Sequence, residues 1–366
     1  MKEFNTTGVC IPEKHYMADV SKKIKAIEKM VEAGKYLIVS KPHQTGKTTI
    51  LYLLRKSLQK SNYRVINITF EDFDQNIFSS TSSFCREFIL TIRDRFEFSK
   101  DTEFVNFIEK EVNNINDFLD LSHFITKMIE KSEQRVVLMI DDVDKSYYNR
   151  LFFDFLRMLQ AKFNKAKAEE DKTFYSIILV GMHNVNDIKI NDSSNELIYN
   201  SIWNIASEFN IDFELEINEI ASLLREYSVE NKIELNVDKF AEKFYDYTSG
   251  HPFLVSKLAE VIDDEIIKGN GNRWQEKHLE QAVDLILKKK LLHFDILIKN
   301  MRKNSKLEKL CEKIIIDGRI INYAIVNPVI KQGKTYGLFR KQNGIIKIHN
   351  KIYKQRIHNY LVCRKV

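Results

Sequence analysis

Short, nearly continuous apolar runs alternate along the chain with longer stretches in which apolar residues recur every three or four positions. Unbroken runs of this length predict strands that are buried on both faces, because a half-exposed strand would alternate. These runs are Tyr36–Ser40, Val136–Ile140 and Phe174–Gly181, and Val65–Phe70 is a further predicted strand, which the polar Asn67 and Thr69 interrupt. Helical periodicity marks Ile50–Lys60, Ser79–Arg95, Leu119–Lys131 and Tyr147–Asn164. Strands interleaved with helices predict an α/β domain with a parallel sheet.

The pattern becomes mainly helical after Asn210–Leu215, which alternates and is predicted to be the last strand of the sheet. The helices predicted beyond it are Ile217–Tyr227, Val237–Tyr247, Pro252–Ile267 and Lys277–Leu292. We therefore place a first domain over residues 1–216 and a second, helical domain over residues 217–292.

Residues 293–366 are predicted to form a third, basic domain. A helix over Leu307–Ile316 is followed by two short strands, Tyr336–Arg340 and Ile345–Ile348, and a final helix. Asn343-Gly344 between the strands is a strong hairpin signal. Helices followed by a basic hairpin predict a winged-helix-like domain, although Val329–Lys334 looks too short and loop-like for a recognition helix.

One connection from a strand to a helix carries a phosphate-binding motif. Lys41 to Thr49 match the pattern GxxxxGK[ST], with lysine in place of the first glycine. In such a loop the glycine lets backbone N–H groups face a phosphate, Lys47 reaches its oxygens, and the Thr48 hydroxyl binds Mg²⁺. A chance match is the alternative, but the preceding strand and following helix favour a P-loop. The candidate nucleotide ligands are Pro42, His43, Gln44, Thr45, Gly46, Lys47, Thr48 and Thr49.

A second motif begins where the run Val136–Ile140 ends in Asp141 and Asp142. A carboxylate at the tip of a buried parallel strand emerges where α/β sheets bind ligands, so we expect Asp141 to bind the same Mg²⁺ as Thr48. The alternative is an acidic turn that caps a helix. Asp142 stands where related ATPases carry a catalytic glutamate, and its side chain is one methylene shorter. This difference puts fast hydrolysis in doubt more than nucleotide binding.

Polar residues also follow the strand Phe174–Gly181. In P-loop ATPases of the additional-strand class, the polar residue at the end of this strand senses the γ-phosphate. By that resemblance His183 or Asn184 is a candidate sensor, and a polar loop at a strand end is an equal alternative.

Composition restricts the class of protein. No run reaches the ~18 apolar residues of a membrane span, and the first residues lack the apolar core of a signal peptide, so a cytoplasmic protein without membrane contact is expected. The four cysteines have no metal-site spacing. Residues 286–366 carry 20 Lys and Arg against 4 Asp and Glu, a net charge of +16, whereas the rest of the chain has a net charge of −10. This asymmetry favours a surface for DNA or for a partner protein, and simple solubility is the alternative.

The motifs together resemble those of predicted bacterial AAA-like P-loop ATPases, related to signal-transducing (STAND) NTPases and origin-recognition ATPases. The resemblance also covers Phe4–Gly8, Pro12–Met17, Trp203–Ala206 and Tyr247–Val255. It implies a parallel sheet of the additional-strand (AAA-like) class, a helical lid, and ATP with Mg²⁺ as ligands. It further implies that Pro252 faces the adenine and that Tyr16 or Met17 packs on the other side.

Three functions follow as hypotheses. The first is a conformational switch that binds ATP, hydrolyses it and releases ADP. The second is a nucleotide-dependent scaffold of defence type that acts through protein partners with little hydrolysis, which the Asp142 substitution favours. The third is a DNA-binding ATPase of the replication or mobile-element kind, which the basic C-terminal segment favours. Assembly into an oligomer on nucleotide binding is compatible with each.

Overall fold

Five parallel strands form the central sheet of the protein. The computed structural model describes residues 2–146, 149–184, 203–209, 211–267, 273–324 and 326–364. The chain divides into two compact units: a sheet unit of Ile24–Ser40 and Leu51–Asn210, and a helical unit of Met1–Lys23, Lys41–Ile50 and Ile211–Val366. The strands of the sheet unit are β1 (Tyr36–Ser40), β2 (Tyr63–Thr69), β3 (Arg135–Asp141), β4 (Ser176–Gly181) and β5 (Ala206–Glu208).

The order of the strands is β2-β3-β4-β1-β5, and every pairing is parallel. Val39 of β1 lies opposite Val180 of β4, while Leu179 of β4 lies opposite Ile140 of β3. A strand is thus inserted between β1, which precedes the P-loop, and β3, which ends in Asp141. The predicted additional-strand class is confirmed. The inserted strand is β4, whereas β2, which intervenes in sequence, lies at the edge of the sheet.

Amphipathic helices accompany the sheet. They are α1 (Ser21–Glu32), α2 (Lys47–Lys60), α3 (Thr81–Phe98), α4 (Thr102–Glu111), α5 (Phe118–Lys131) and α6 (Arg150–Lys167). The apolar faces of α3, α4, α5 and α6 form a core with β1 to β4, in which Phe84, Phe124 and Phe155 are fully buried beside Leu138. The predicted start of α6 at Tyr147 lies outside the described residues.

The prediction for the last strand was wrong. β5 spans Ala206–Glu208, and residues 211–215 are not in a strand. The short segment is held by main-chain pairing with the buried strand β1, where Tyr36 lies opposite Ala206 and Ile38 opposite Glu208. Pairing with the distant strand β1 therefore decides where the last strand forms, and the local alternation of Asn210–Leu215 does not. Asn210 itself lies outside the described residues.

The helical unit contains eight α-helices among its described residues after residue 211. The helices are α7 (Ile217–Asn231), α8 (Val237–Thr248), α9 (Pro252–Val261), α10 (Glu276–Lys288), α11 (Leu292–Arg302), α12 (Ser305–Ile315), α13 (Pro328–Thr335) and α14 (Lys351–Cys363). A π-helical turn, Ile262–Ile267, continues α9. None of the helices that the structure describes in either unit is long and apolar enough to cross a membrane.

A small antiparallel sheet accompanies the last helices. Its strands, β6 (Ile321–Asn322), β7 (Phe339–Gln342) and β8 (Ile345–Ile348), are arranged in the order β6-β8-β7. The predicted hairpin is confirmed, and both turn residues, Asn343 (φ +50°) and Gly344 (φ +78°), are left-handed, as its turn type requires.

The prediction that Val329–Lys334 is loop-like was wrong, because α13 spans this segment. The Asn327 side chain accepts hydrogen bonds from the backbone N–H groups of Val329 and Ile330, and Pro328 occupies the first helical turn. Asparagine followed by proline is a helix-start signal that the sequence analysis overlooked.

One hydrophobic core spans the helical unit. Phe244 of α8 and Leu279 of α10 belong to the same buried cluster as Leu307 of α12 and Ile352 of α14. The division into a lid over residues 217–292 and a basic domain over residues 293–366 stays a prediction.

Candidate nucleotide-binding site

The P-loop begins directly after β1 and leads into α2. Its backbone is left-handed at Gln44 (φ +59°) and Gly46 (φ +82°), and Lys41 lies outside that region. The position that usually carries the first glycine therefore does not require one, which explains how the loop accepts lysine. The Lys41 ammonium lies 3.2 Å from Asp212 Oδ1 and 5.7 Å from the Phe213 ring centroid.

The Lys47 ammonium lies inside the loop. It donates hydrogen bonds to the carbonyl oxygens of Lys41 (3.0 Å) and Pro42 (2.8 Å), and its side chain is buried. The buried Thr45 hydroxyl also donates to the carbonyl of Pro42, at 2.9 Å. The exposed Thr48 lies in the first turn of α2, next to Lys47. A cation, a hydroxyl and the first N–H groups of a helix are thus available to an anion.

A cavity of about 370 Å³ adjoins the P-loop; we call it the P-loop cavity. Its walls come from the N-terminal segment, the P-loop, the segment before α7, and helices α7 and α9. The lining residues are Asn5, Thr6, Thr7, Gly8, Cys10, Tyr16, Met17, Ala18, Val20, Gln44, Thr45, Gly46, Thr49, Ile50, Phe213, Leu215, Leu223, Pro252, Phe253 and Ser256. The three residues assigned by resemblance, Tyr16, Met17 and Pro252, therefore line one cavity together with the P-loop.

The wall formed by Pro252 lies close to the loop. A Cβ atom built on Gly46 would lie 3.9 Å from Pro252 Cγ. Among the described residues, no charged side chain lines the cavity, and most lining groups are apolar or hydroxyl-bearing. This composition suits a flat, uncharged ring system with a few polar edges.

The N-terminal segment is firmly attached around this cavity. The Phe4 ring packs on Tyr16 and Tyr227, with centroids 5.0 and 4.9 Å away. The buried Tyr16 hydroxyl accepts a hydrogen bond from Asn231 Nδ2 at 2.7 Å. Tyr16 therefore belongs to the core as much as to the cavity wall. Farther along the segment, the Cys10 backbone N–H donates to the Thr49 hydroxyl of the P-loop at 3.0 Å.

Gly250 holds Pro252 in place. Its φ of +76° is left-handed, and an added Cβ would lie 2.1 Å from the carbonyl oxygen of Leu215. The Leu215 N–H donates to the carbonyl of Gly250 at 2.7 Å. Only glycine permits this close backbone approach, after which Pro252 begins α9. Gly250 follows Ser249, the left-handed C-cap of α8, so the close approach to Leu215 requires glycine here, and the helix cap does not.

The carboxylates at the end of β3 differ from each other. Asp141 is buried as the last residue of the strand, and its Oδ1 accepts the backbone N–H of Asp142 at 3.0 Å. Asp142 is half-buried and has φ +53°, in the left-handed region that aspartate tolerates better than most residues. Asp142 thus combines a short side chain with a left-handed backbone.

Asp144 connects the ends of β3 and β4. Its carboxylate accepts the N–H of Met182 (2.7 Å at Oδ2, 2.8 Å at Oδ1) and the N–H of His183 (3.1 Å). His183 Nδ1 lies 3.4 Å from the same carboxylate. Burial raises the pKa of Asp144, but the hydrogen bonds from the His183 ring and the two amides outweigh it, so the pKa is lowered.

The candidate sensor His183 is thus held by a residue to which the sequence analysis gave no role. Asn184, the other candidate, is half-buried next to it. Because β4 lies between β1 and β3, both candidates follow the strand next to the one that leads into the P-loop.

A second cavity, of about 170 Å³, lies against Pro42, His43, Gln44 and Thr45. We call it the histidine cavity, because the buried imidazoles of His251, His293 and His349 line it together with the exposed His43. The His251 ring centroid lies 5.2 Å from that of His293 and 5.8 Å from that of His349.

Burial and the neighbouring imidazoles set the protonation of the histidine cavity. Burial, followed by the effect of His293 and His349, lowers the pKa of His251 well below its usual value. Burial also lowers the pKa of His293 to about 3, and its Nε2 lies 2.6 Å from the Tyr353 hydroxyl. His349 Nε2 lies 3.2 Å from Glu214 Oε1. No local sequence pattern predicted this cluster, because its members are distant along the chain.

A family model described as an AAA-like domain matches residues 6–359. This chain belongs to the AAA-like family. The predicted resemblance to AAA-like P-loop ATPases is confirmed, and the match includes the P-loop, the end of β3 and the segment around Pro252.

Solved structures of other proteins are similar to this chain. A Walker-type ATPase of Pyrococcus abyssi has a TM-score of 0.60 and 14% sequence identity, over 97% of this chain and 99% of its own. The ORC2 protein of Aeropyrum pernix in its ADPNP–ADP complexes has a TM-score of 0.48 and 10% identity, over 94% of this chain and 93% of its own. The Holliday junction branch migration motor RuvB of Thermotoga maritima has a TM-score of 0.44 and 12% identity, over 96% and 97%. No curated protein sequence matches significantly.

Proposed function

We propose that this AAA-like protein binds ATP with Mg²⁺ and acts as a conformational switch that hydrolyses the nucleotide slowly. The observation that carries the proposal is the P-loop cavity, a space of about 370 Å³ that both Gly46 and Pro252 line. A ligand with its phosphates on the P-loop would place its base in this cavity, against residues of α7 and α9.

The residues fit such a ligand. Gly46 has no Cβ, so it adopts the left-handed conformation without strain and leaves the backbone open to a phosphate. The Lys47 ammonium, now bound to two carbonyl oxygens, would exchange them for phosphate oxygens, which form stronger, charge-assisted bonds. The apolar wall of Met17, Pro252 and Phe253 would cover the faces of adenine.

Thr48 and Asp141 are the proposed ligands of Mg²⁺. Both offer oxygen atoms, which this cation prefers. Bound Mg²⁺ would neutralise charge on the β- and γ-phosphates. Asp141 would take this role from the end of β3, a strand whose residues after Arg135 are all buried.

Slow hydrolysis is proposed because of Asp142. A general base must hold the attacking water at the right place, and a misplacement by one methylene is costly. The left-handed backbone of Asp142 changes the direction of an already short side chain. His183, fixed by Asp144, is the proposed γ-phosphate sensor, with Asn184 as the alternative.

The switch would act through the helical unit. Leu223 of α7 and both Pro252 and Ser256 of α9 line the cavity, so a bound base would contact the proposed lid over residues 217–292. We propose that ATP draws these helices onto the P-loop and that hydrolysis releases them. The winged-helix-like domain over residues 293–366 would read out the two states.

The test compares two lysines of the same loop. Lys47→Ala should abolish ATP binding measured by calorimetry with Mg²⁺, whereas the control Lys41→Ala should bind nearly as well as the unmodified protein, because Lys41 faces Asp212. Equal affinity of the unmodified protein and Lys47→Ala would reject the P-loop assignment. Equal losses in both variants would show that the loop's charge, not its geometry, holds the nucleotide.

The scaffold of defence type remains the second candidate, and the conformation of Asp142 favours it. Phosphate release separates the two: the switch turns ATP over, and the scaffold binds it without turnover. A cytoplasmic location, relationship to the STAND class and assembly on nucleotide binding remain parts of the proposal.

A further inference from the structure

A groove of about 690 Å³ lies between α11 and α14, and it shares no lining residue with the P-loop cavity or the histidine cavity. We call it the α11–α14 groove. It is lined by Asp295, Ile298, Lys299, Arg302, Lys303, Arg356, Asn359, Tyr360 and Cys363. Four of these side chains are cationic and one is acidic, so the groove carries net positive charge.

Its cations are not neutralised by the protein. Elsewhere in the basic segment, Lys289 pairs with Glu265, Lys351 with Asp246, and Arg364 with Glu308. Among the described residues, by contrast, Lys299, Arg302 and Lys303 form no ion pair.

Lys299 and Arg302 occupy positions i and i+3 of α11 and share a face of the helix, and Lys303 is the C-cap residue that follows Arg302. Unpaired cations on one face of a groove are expected to attract an anionic ligand, whose binding would replace their hydration and counterions.

An aromatic ring lies among the cations of the groove. The Arg356 guanidinium is fixed, because it donates to the carbonyl of Leu287 at 2.7 Å and lies 5.2 Å from the Phe294 ring centroid. The Tyr360 hydroxyl donates to Glu308 at 3.0 Å, which orients its ring. Ile298 adds an apolar side chain to the lining. Cationic side chains around an oriented aromatic ring are the combination used for single-stranded nucleic acids, whose bases stack while their phosphates meet cations.

We propose that the α11–α14 groove binds single-stranded nucleic acid. Because Tyr360 offers a ring for stacking beside the cations, the groove favours unpaired bases, which a duplex does not expose. The exposed cations continue beyond the groove as Lys306, Lys309 and Lys313 of α12. This longer row favours an extended polyanion over a compact acidic peptide.

The test compares two triple variants with the same change in charge. One replaces Lys299, Arg302 and Lys303 by Gln. The matched control replaces Lys334, Lys341 and Lys347, three exposed lysines of α13 and the hairpin, by Gln. Fluorescence anisotropy of the full chain with a labelled oligothymidylate of about 12 nucleotides measures the affinity at several salt concentrations.

At about 50 mM salt, the affinity of the groove variant should be at least about tenfold lower than that of the unmodified protein. The slope of log affinity against log salt concentration should become shallower by about 2, because each lost phosphate contact removes ~0.7 from it. The control should stay within about twofold. Equal losses in the two variants would reject the groove as the site. Tighter binding of a duplex that depends on the control lysines would place the nucleic acid on the hairpin instead. Displacement of the oligonucleotide by polyglutamate at equal charge would identify an acidic protein as the ligand.

A second readout uses the cysteines. Cys363 lines the groove and is exposed, whereas Cys10 lines the P-loop cavity and is half-buried. The oligonucleotide should slow alkylation of Cys363 by iodoacetamide, measured by peptide mass spectrometry, and leave that of Cys10 unchanged. Unchanged alkylation of Cys363 under saturating oligonucleotide would overturn the proposal, even if the protein binds DNA elsewhere.

Discussion

The P-loop and the ends of β3 and β4 carry the two halves of the proposed ATPase machinery, and they depart from the usual pattern in different ways. In the P-loop, lysine replaces a glycine at a position where the backbone is not left-handed, so the loop geometry is unaffected. At the end of β3, Asp142 is both shorter than the usual glutamate and left-handed, and Asp144 is occupied in holding the end of β4. The comparison indicates that nucleotide binding is better preserved than hydrolysis.

The largest effect is expected from Gly46→Val. A β-branched residue is strongly disfavoured at φ +82°, and its side chain would also crowd the space toward Pro252. ATP affinity should fall at least about 100-fold, equivalent to about 2.7 kcal/mol. Calorimetric titration measures it, and thermal unfolding checks that the fold survives. Affinity within threefold of the unmodified protein would show that the loop does not approach the phosphates.

Substitutions at the end of β3 test the other half. Asp142→Asn should keep ATP affinity and lower phosphate release by about 100-fold, the contribution of a general base. Asp141→Ala should instead remove the tightening of ATP binding by Mg²⁺. Faster phosphate release in Asp142→Glu would show that the short side chain limits turnover. An unchanged rate in Asp142→Asn would exclude this residue from the mechanism and strengthen the scaffold hypothesis.

The role of Asp144 is tested by Asp144→Asn. The variant keeps the size of the side chain but loses the charge that accepts three hydrogen bonds from Met182 and His183, so the free energy of unfolding should fall by about 2 kcal/mol. Asp154→Asn is the control, because its partners Arg150 and Arg157 form surface pairs worth less than about 1 kcal/mol. Denaturant unfolding measures both, and equal losses would contradict a special role for Asp144.

The sequence predicted local features well and distant contacts poorly. The apolar run before Asp141 and the Asn343-Gly344 turn specify their own structure, and both predictions are confirmed. The three residues of β5 show no pattern of their own and depend on pairing with β1. The carboxylate of Asp144 meets amides 38 residues away along the chain, a contact that no local rule predicts.

The site shows the same division. The motif identified the P-loop residues, but the reason that Lys41 is accepted lies in a backbone angle. The histidine cavity was missed for a related reason: His251, His293 and His349 are brought together only by the packing of α9, α11 and the segment before α14.

A further effect concerns pH and again separates the two regions. His251 and His293, behind the P-loop, have lowered pKa values and stay neutral in the folded protein. An unfolded chain binds protons at these imidazoles below its ordinary pKa of 6.5, so stability should be complete above pH 6.5 and decrease below it. The slope is about 1.4 kcal/mol per pH unit for each imidazole. The pKa of Asp144 is also lowered, but its ordinary value is 3.8. The stability that its carboxylate contributes is therefore lost only when the pH falls below that value.

His293→Gln separates these contributions, because glutamine offers the Tyr353 hydroxyl a hydrogen-bond partner and does not titrate. Between pH 6.5 and about pH 5, the free energy of unfolding of this variant should fall less steeply than that of the unmodified protein, by about 1.4 kcal/mol per pH unit, because the His293 imidazole no longer contributes while that of His251 still does. The control Asp144→Asn should keep the full slope in this range. Denaturant titrations at a series of pH values measure the slopes. Parallel curves of unfolding free energy against pH for His293→Gln and the unmodified protein would show that His293 takes up no proton on unfolding. The P-loop region and the end of β3 would then differ in geometry but not in their response to pH.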